Sequence, residues 1–290
     1  MKTIQGYSKN IIETIKLRKS WRTYIPIGLN ASQKKELTTF IENLPSSPFS
    51  HFGSKTKFEI LDMNEIDPSQ ATQLGTYGFI KGARQFLVGS YTNSDYCIEN
   101  YGYLFELIIL KATEMGLGTC WLAGSFNRSG FSSAFNIKSE ENVPAVSPVG
   151  PITGHRRLFD IMMRFSMKAK SRFPWAKIFF NGDFTTSLTE NEAGKFKEIL
   201  EMVRIGPSAA NGQPWRIVKE NGSNKFHFFV DDPPEGKKGF TLFRRLDLGI
   251  AAAHFDLVCQ KTEYNGNWTF DAPNITLPNH INYRFSWKEE

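Results

Sequence analysis

The sequence predicts an α+β chain that repeats one layout of helices and strands twice. Three observations carry that expectation. Apolar residues recur at helical spacing in some stretches and run or alternate at strand length in others. The same order of motifs appears in the first and the second part of the chain. Matching segments also share a landmark, Gly102 in one long apolar pattern and Gly249 in the other.

The first copy begins at Asn10 to Leu17, where Ile11, Ile12 and Ile15 share one helix face and the charged cluster LRKSWRTY follows. Asn30 or Ser32 is placed to cap a second helix running to about Leu44, with Glu36 supplying first-turn negative charge. LPSSPFSHFGSKTKFEIL then gives a turn and a strand through Phe58 and Ile60, and ARQFLVGSY (83–91) gives another strand. YCIENYGYLFELIILKATEMG is the longest helical pattern, roughly 20 residues and apolar almost all round, which predicts a buried helix stopped at Gly116. LGTCWLAGS continues as a short strand into a turn, and NVPAVSPVGPI (142–152) reads as a Pro-punctuated edge strand.

The second copy has KSRFPWAKIFF (170–180) in the place of LRKSWRTYIP, and a capped helix from about Thr189 to Arg204. GPSAANGQPWRIVKENGSNKFHFFV then leads through a turn into strand, and LDLGIAAAHFDLVCQ (246–260) parallels NYGYLFELIILKA (100–112). The copies are not equivalent. Arg18, Lys19 and Ser20 align with Arg172, Phe173 and Pro174, so the second copy has lost polar groups there. Conversely, Ser208, Asn211 and Gln213 have only a weakened counterpart between Pro45 and His51.

Composition bounds the function. At 290 residues the chain is long enough for a sizeable core, and 40% hydrophobic with 22% charged residues is ordinary for a globular protein. Phe is unusual, with 25 residues, which predicts a bulky core or a stacking surface. A net charge of +6 suits an anionic small ligand, while the scatter of Lys and Arg predicts no nucleic-acid partner. Cys97, Cys120 and Cys259 lie far apart without CxxC spacing, which argues against a disulfide frame or zinc site and for a reducing cytoplasm. The first residues form no signal-peptide core, and no apolar run reaches the roughly 18 residues of a membrane span, so no membrane partner is expected. The sequons at Asn127, Asn267 and Asn274 then read as chance matches.

Familiar catalytic constellations are absent: there is no GxxxxGK[ST] loop, GxSxG elbow, HExxH, or GxGxxG after a strand. His51, His155, His227, His254 and His280 are isolated, without metal-ligand spacing, and packing or surface roles are expected of them. What remains is a set of small and basic motifs. RKSWR puts Arg18, Lys19 and Arg22 within five residues, with Ser20 as a hydroxyl donor. Alone it reads equally as a solvated helix end favoured by the macrodipole. GHRRL brings Arg156 and Arg157 after a Gly/Pro-rich loop, and alone reads as a solvated turn. Together the two clusters offer the guanidinium groups of a phosphate clamp. GLGTCWLAGSF supplies Gly116, Gly118 and Gly124, which let backbone approach a flat ligand, although a helix stop explains Gly116 as well. PSAANGQPW is the most specific segment: Ala209, Ala210 and Gly212 leave space while Asn211 and Gln213 offer donors and acceptors.

RKSWRTY, PSAANGQPW and GLGTCWLAGSF resemble the three signature segments of the FMN-dependent nitroreductase family. Members ordinarily carry all three in one half-sized subunit and form an intertwined homodimer with each flavin at the interface. Here RxS and GLG lie in the first half and the intact PSxxNxQPW in the second, which resembles the subfamily whose single chain contains both halves. The resemblance implies a nitroreductase-like α+β fold of two degenerate halves, 1–165 and 166–290. Each would have an antiparallel-rich sheet with flanking helices, and the chain would be a monomer that mimics the family homodimer.

By position, the resemblance implies that Arg18, Lys19 and Ser20 hold the FMN phosphate and ribityl chain, with Arg22 near the N1–C2=O edge. Pro207, Ser208 and Asn211 would line the cofactor, with Gln213 close by. The backbone of Trp121, Leu122, Ala123 and Gly124 would pass near N5, and Arg156 and Arg157 would complete the phosphate site. Phe173 and Pro174 stand where the second pseudo-site would need Lys and Ser, and KTEYNGNWTF stands where it would need GLG, so one FMN per chain is expected. The implied chemistry is ping-pong: NAD(P)H reduces the flavin, and a flat acceptor such as a nitroaromatic or quinone reoxidises it. No dedicated catalytic residue and no metal is expected. Two alternatives stay open: a flavin enzyme of this fold with other chemistry, such as dehalogenation or flavin breakdown, and a non-catalytic FMN-binding protein.

Overall fold

Ile11, Ile12 and Ile15 are buried along one face of α1 (Ile11–Leu17), and the Asn10 side chain accepts from Ile12 N at 3.0 Å to cap it. The structure, a computed structural model, describes residues 6–66, 74–153, 157–166, 171–232 and 238–290. Its backbone separates into two units, Gly6–Ala169 and Lys170–Glu290.

In the first unit α2 (Ala31–Glu42) is capped by Asn30 rather than Ser32, through a capping box in which Asn30 and Gln33 each accept the other's backbone N–H. Glu36 lies beyond the first turn and instead pairs with Lys111 at 2.8 Å, and the helix stops at Glu42, short of Leu44. Strands β1 (Thr56–Asp62) and β2 (Gln85–Thr92) pair antiparallel. Helix α3 (Cys97–Glu114) is buried on nearly every side, as its apolar sequence requires. It ends where Gly116 takes φ +78° and Leu117 N–H turns back to Ala112 O at 2.9 Å. After it come β3 (Gly118–Thr119), α4 (Arg128–Ala134), β4 (Glu141–Asn142), β5 (Val146–Gly150) and α5 (Leu158–Ser166).

The sheet runs β1-β2-β5-β3, with β4 also on β2. The expected edge strand is therefore an interior one: β5 lies between β2 and β3. Pro148 is tolerated there because the ladder to the β3 side covers Gly150 and Val149 and resumes at the Val146–Leu122 bridge, skipping residue 148. Cys120 N–H, next along, bonds Ser147 Oγ at 3.0 Å instead of a backbone carbonyl.

The second unit holds β6 (Phe179–Asn181), α6 (Glu190–Ala193), α7 (Lys197–Arg204), β7 (Trp215–Lys219), β8 (Lys225–Asp231), α8 (Lys238–Lys261), β9 (Gly266–Thr269) and β10 (Ile281–Glu289). Thr189 and Glu192 form the capping box of α6, but the single helix expected to Arg204 is interrupted at Gly194, where φ is +53° and one 3-10 turn intervenes. The sheet order is β6-β7-β8-β10-β9, antiparallel except for β6 with β7. The abundant Phe is core: Phe196, Phe226, Phe228, Phe255, Phe285 and Trp287 are all buried, with Phe196–Phe226 ring centroids 4.7 Å apart.

The two sheets share a plan. Taken in chain order, β1, β2, β3 and β5 lie 1-2-4-3, and so do β7, β8, β9 and β10. In each unit the long helix joins the second of these strands to the third. A contact repeats as well. Two residues before the landmark glycine, Asn100 of α3 bonds the Ser47 hydroxyl and Asp247 of α8 accepts Ala209 N–H at 3.1 Å. Ser47 and Ala209 are each the second residue after a proline, Pro45 and Pro207.

Among the described residues, no group of His, Cys, Asp and Glu is placed to hold a metal ion, and no helix is long and apolar enough to cross a membrane. The three cysteines are buried and free. His254 is a core histidine whose Nδ1 meets Met202 O at 2.9 Å, and His155 lies outside the described residues.

Candidate functional site

The first unit brings RKSWR and GLGTCWL together. The chain leaving α1 forms a parallel bridge from Ser20 to Thr119, and Trp21 N–H donates to Thr119 O at 2.8 Å. Ser20 also hydrogen-bonds the Cys120 thiol. Burial pushes that thiol up from its ordinary value, against the pull of Arg22, the Ser20 bond and Arg18. The segment is extended because the helix has ended at Arg18, whose own N–H still reaches back to Thr14 O at 3.0 Å.

The Arg18 guanidinium keeps part of its surface, yet burial holds its pKa below the ordinary arginine value, with the charge of Glu106 working in the other direction. It makes no hydrogen bond to any described residue. Lys19 is exposed. Arg22 is buried, and its carbonyl accepts Lys81 N–H at 2.9 Å. Arg157 is beside it, fastened by several bonds. Its Nε donates to Thr23 Oγ1 at 2.8 Å, and one Nη reaches Asp160 at 3.1 Å, Phe79 O and Arg22 O. Thr23 in turn donates to buried Asp160 at 2.6 Å. Arg157 therefore ties α5 to the segment after RKSWR with most of its donors. Arg156 lies outside the described residues.

Beyond β3, Trp121 is partly buried and donates its indole N–H to Glu106 Oε2 at 2.8 Å. Leu122 is core, and its backbone N–H and C=O both pair with Val146 at 2.9 Å. Ala123 is partly buried, with its carbonyl 3.2 Å from an Arg128 nitrogen, and Gly124 is exposed. The glycines before them serve the chain itself. Gly116 supplies the left-handed helix stop, and a Cβ on Gly118 would lie 2.1 Å from Ile152 Cγ2. Sequence reasoning gave Gly118 to a ligand; its close neighbour is Ile152.

In the second unit Pro207 and Ser208 are half-buried at the entry to a tight turn, where Ala210, Asn211 and Gln213 take φ of +48°, +58° and +45°. Three non-glycine residues in the left-handed region cost free energy, so the turn needs strong fastening. It has that. Ser208 Oγ accepts Gln213 N–H at 3.0 Å, and the Asp247 carboxylate takes Ala209 N–H. Asn211 accepts from Arg172 at 3.1 Å and donates to Ser171 O at 3.0 Å. Gln213, buried, accepts Phe173 N–H at 2.8 Å and donates to Asn211 O at 3.2 Å. The amides read from sequence as ligand groups are thus bonded to the segment 171–173, about forty residues earlier. Arg172 also donates to Ser171 O and Ile205 O, at 2.8 and 3.0 Å.

Sequence reasoning missed Glu106, Thr23, Asp160 and Asp247. The legible signal was a lone Glu inside LFELIIL, since a charge in a buried helix needs partners.

The chain matches, over residues 10–259, the model of a family described as "Putative TM nitroreductase". Among solved structures it is similar to a protein of Thermotoga maritima MSB8 described as a "putative nitroreductase", at 19% identity and TM-score 0.60 over 97% of this chain and 94% of that one. That likeness gives the fold, a nitroreductase-like α+β architecture. An FMN-dependent nitroreductase from Clostridium difficile R20291 aligns with 50% of this chain and 90% of its own, at 20% identity and TM-score 0.39. A protein from Exiguobacterium sibiricum 255-15 described as a "putative nitroreductase", solved in complex with FMN, aligns with 53% of this chain and 97% of its own, at 12% identity and TM-score 0.40. No curated protein sequence matches the chain.

Proposed function

For a chain that belongs to the nitroreductase family whose model it matches over residues 10–259, we propose an FMN-dependent NAD(P)H oxidoreductase with one FMN per chain. The observation that carries the reading is the Arg18 guanidinium, desolvated and without a hydrogen bond to any described residue, next to exposed Lys19 and the Ser20 hydroxyl. Two unspent cationic donors and a hydroxyl within three residues fit a phosphomonoester dianion, which takes charge-assisted bonds from each. FMN carries that group. When bound, it would accept two electrons from a reduced nicotinamide and pass them to a flat electron-poor acceptor, a nitroaromatic or a quinone.

The work left to the protein is binding and orientation. Arg18, Lys19 and Ser20 would hold the phosphate and ribityl chain, and Arg22 would set positive charge at the pyrimidine edge of the ring. Arg157 would act chiefly by fixing the Arg22–Thr23 backbone, since its donors are already engaged. Ala123 and Gly124 would supply the accessible backbone of the GLG segment, Leu122 being paired with Val146. On the motifs, Pro207 and Ser208 are proposed to serve cofactor binding, with Asn211 and Gln213 keeping their turn in shape. A second FMN is disfavoured because Arg172 is committed to Asn211 and Ile205.

Purified protein should be yellow or take up added FMN, and anaerobic NADH or NADPH should bleach the flavin band. Protein that gains no FMN contradicts the proposal. Bound FMN that stays oxidised under excess NAD(P)H would favour a binding protein instead. Reduction with negligible turnover of nitroaromatics and quinones would favour another flavin chemistry.

A further inference from the structure

Glu106 stands in the middle of α3, fully buried beside Phe105, Leu107 and Ile108. A carboxylate there is costly unless its partners compensate for lost hydration. Its Oε2 accepts the Trp121 indole N–H at 2.8 Å, and its charge acts on Arg18 and on the half-buried Tyr7. Phe105 meets the Trp121 ring edge-on, with centroids 4.7 Å apart. One turn of α3 therefore grips Trp121, and the Glu106 charge is felt at Arg18. These residues belong to the two segments joined by the Ser20–Thr119 bridge. Trp121 is only partly buried, so packing alone leaves its ring room to turn, and the directional bond to Glu106 removes that freedom.

We propose that Glu106 is a positioning residue: its buried carboxylate locks the Trp121 indole to α3 and thereby fixes the Trp121–Gly124 segment in the geometry that receives FMN. The inference rests on the FMN reading above. Replacing Glu106 by Leu suits the apolar neighbours on α3, but it takes the acceptor from the indole N–H and the carboxylate's charge from Arg18. Glu106→Gln keeps an acceptor and removes only the charge.

The test uses the full chain with 15N-labelled indoles. The Trp121 Nε1–H resonance is assigned by its loss in Trp121→Phe, and FMN affinity is measured by titration. Glu106→Leu should move the Trp121 resonance and weaken FMN binding about ten-fold, while Glu106→Gln holds both near wild type. In a Trp121→Phe background, Glu106→Leu should add less than it costs alone, because the part of its effect that passes through that ring is already gone. A moved resonance with unchanged FMN affinity overturns the proposal, as does an equal loss in the Trp121→Phe background. If Glu106→Leu does not fold, Trp121→Phe removes the same bond from the other side. Unchanged FMN affinity in that variant is then the overturning result. Wild-type protein that takes up no FMN sinks the functional reading itself, an outcome distinct from all of these.

Discussion

Arg18 and Arg172 align between the two copies, yet their guanidinium groups have opposite fates. Arg18 is desolvated and makes no hydrogen bond to a described residue, whereas Arg172 bonds Ser171 O, Ile205 O and Asn211 Oδ1. The neighbours diverged in the same sense, Lys19 and Ser20 in one copy against Phe173 and Pro174 in the other. A site that must receive an anion has to keep donors unspent, and that leaves stability unrealised. A copy relieved of that duty can turn the same arginine into a staple. The PSAANGQPW turn is what Arg172 staples, with Gln213 holding Phe173 N–H from the same turn.

The widest separation between the two arginines should appear in FMN affinity. Arg18→Ala should weaken FMN binding about 10- to 100-fold with little change in thermal stability, by loss of a charge-assisted phosphate contact. Arg172→Ala should do the reverse, lowering unfolding free energy by about 2 kcal/mol in urea titrations through three lost backbone and amide bonds. If the two variants behave alike, the division between a receptive and a stapled arginine fails.

Acid should also separate the units. His227 is buried in β8, with Nδ1 2.7 Å from Ser286 Oγ, and burial lowers its pKa to about 4, with Lys225 adding to the shift and Glu220 opposing it. The folded-state value lies below that of the unfolded chain, so the unfolded chain takes the proton first as pH falls. Stability from neutral His227 is complete above about pH 6.5 and drains away toward pH 4. Strand β2 of the other unit carries no group that titrates near neutrality. Between pH 6.5 and 5 the second unit should lose about 2 kcal/mol. Hydrogen exchange should show faster opening in β8 and β10 than in β1 and β2, and His227→Asn should flatten the slope. Equal acceleration in both sheets contradicts the assignment.

The smallest effect concerns the turn. Ala210 has φ +48°, and glycine accepts that geometry without the Cβ clash. Ala210→Gly should raise the melting temperature slightly, by the equivalent of about 0.5 kcal/mol, since relief of strain exceeds the added unfolded-state entropy. A lower melting temperature would mean that the turn is less strained than its dihedral angles indicate.

These contrasts were partly legible in the residues. Periodicity located α1, α2 and α3, with Asn30 and Gly116 legible as local end signals, although Ser32 competed for the cap. Pro148 pointed to an edge, but whether a ladder skips one residue depends on strands far away in the chain. β10 was not anticipated although Ile281, Tyr283, Phe285 and Trp287 alternate, with a register shift between Tyr283 and Phe285 breaking the pattern. Asn211 and Gln213 were readable as polar groups on a small-residue turn. That their partners are Ser171, Arg172 and Phe173 is a tertiary fact, as is the bond between Glu106 and Trp121.

The central claim is that one of two related copies still receives the cofactor phosphate and the other does not. Titration of FMN-free protein with FMN, followed by calorimetry, measures that stoichiometry directly. One FMN per chain, bound about 10- to 100-fold more weakly in Arg18→Ala and at unchanged affinity in Arg172→Ala, is the predicted result. Two FMN per chain, or binding that survives Arg18→Ala unchanged, would contradict it.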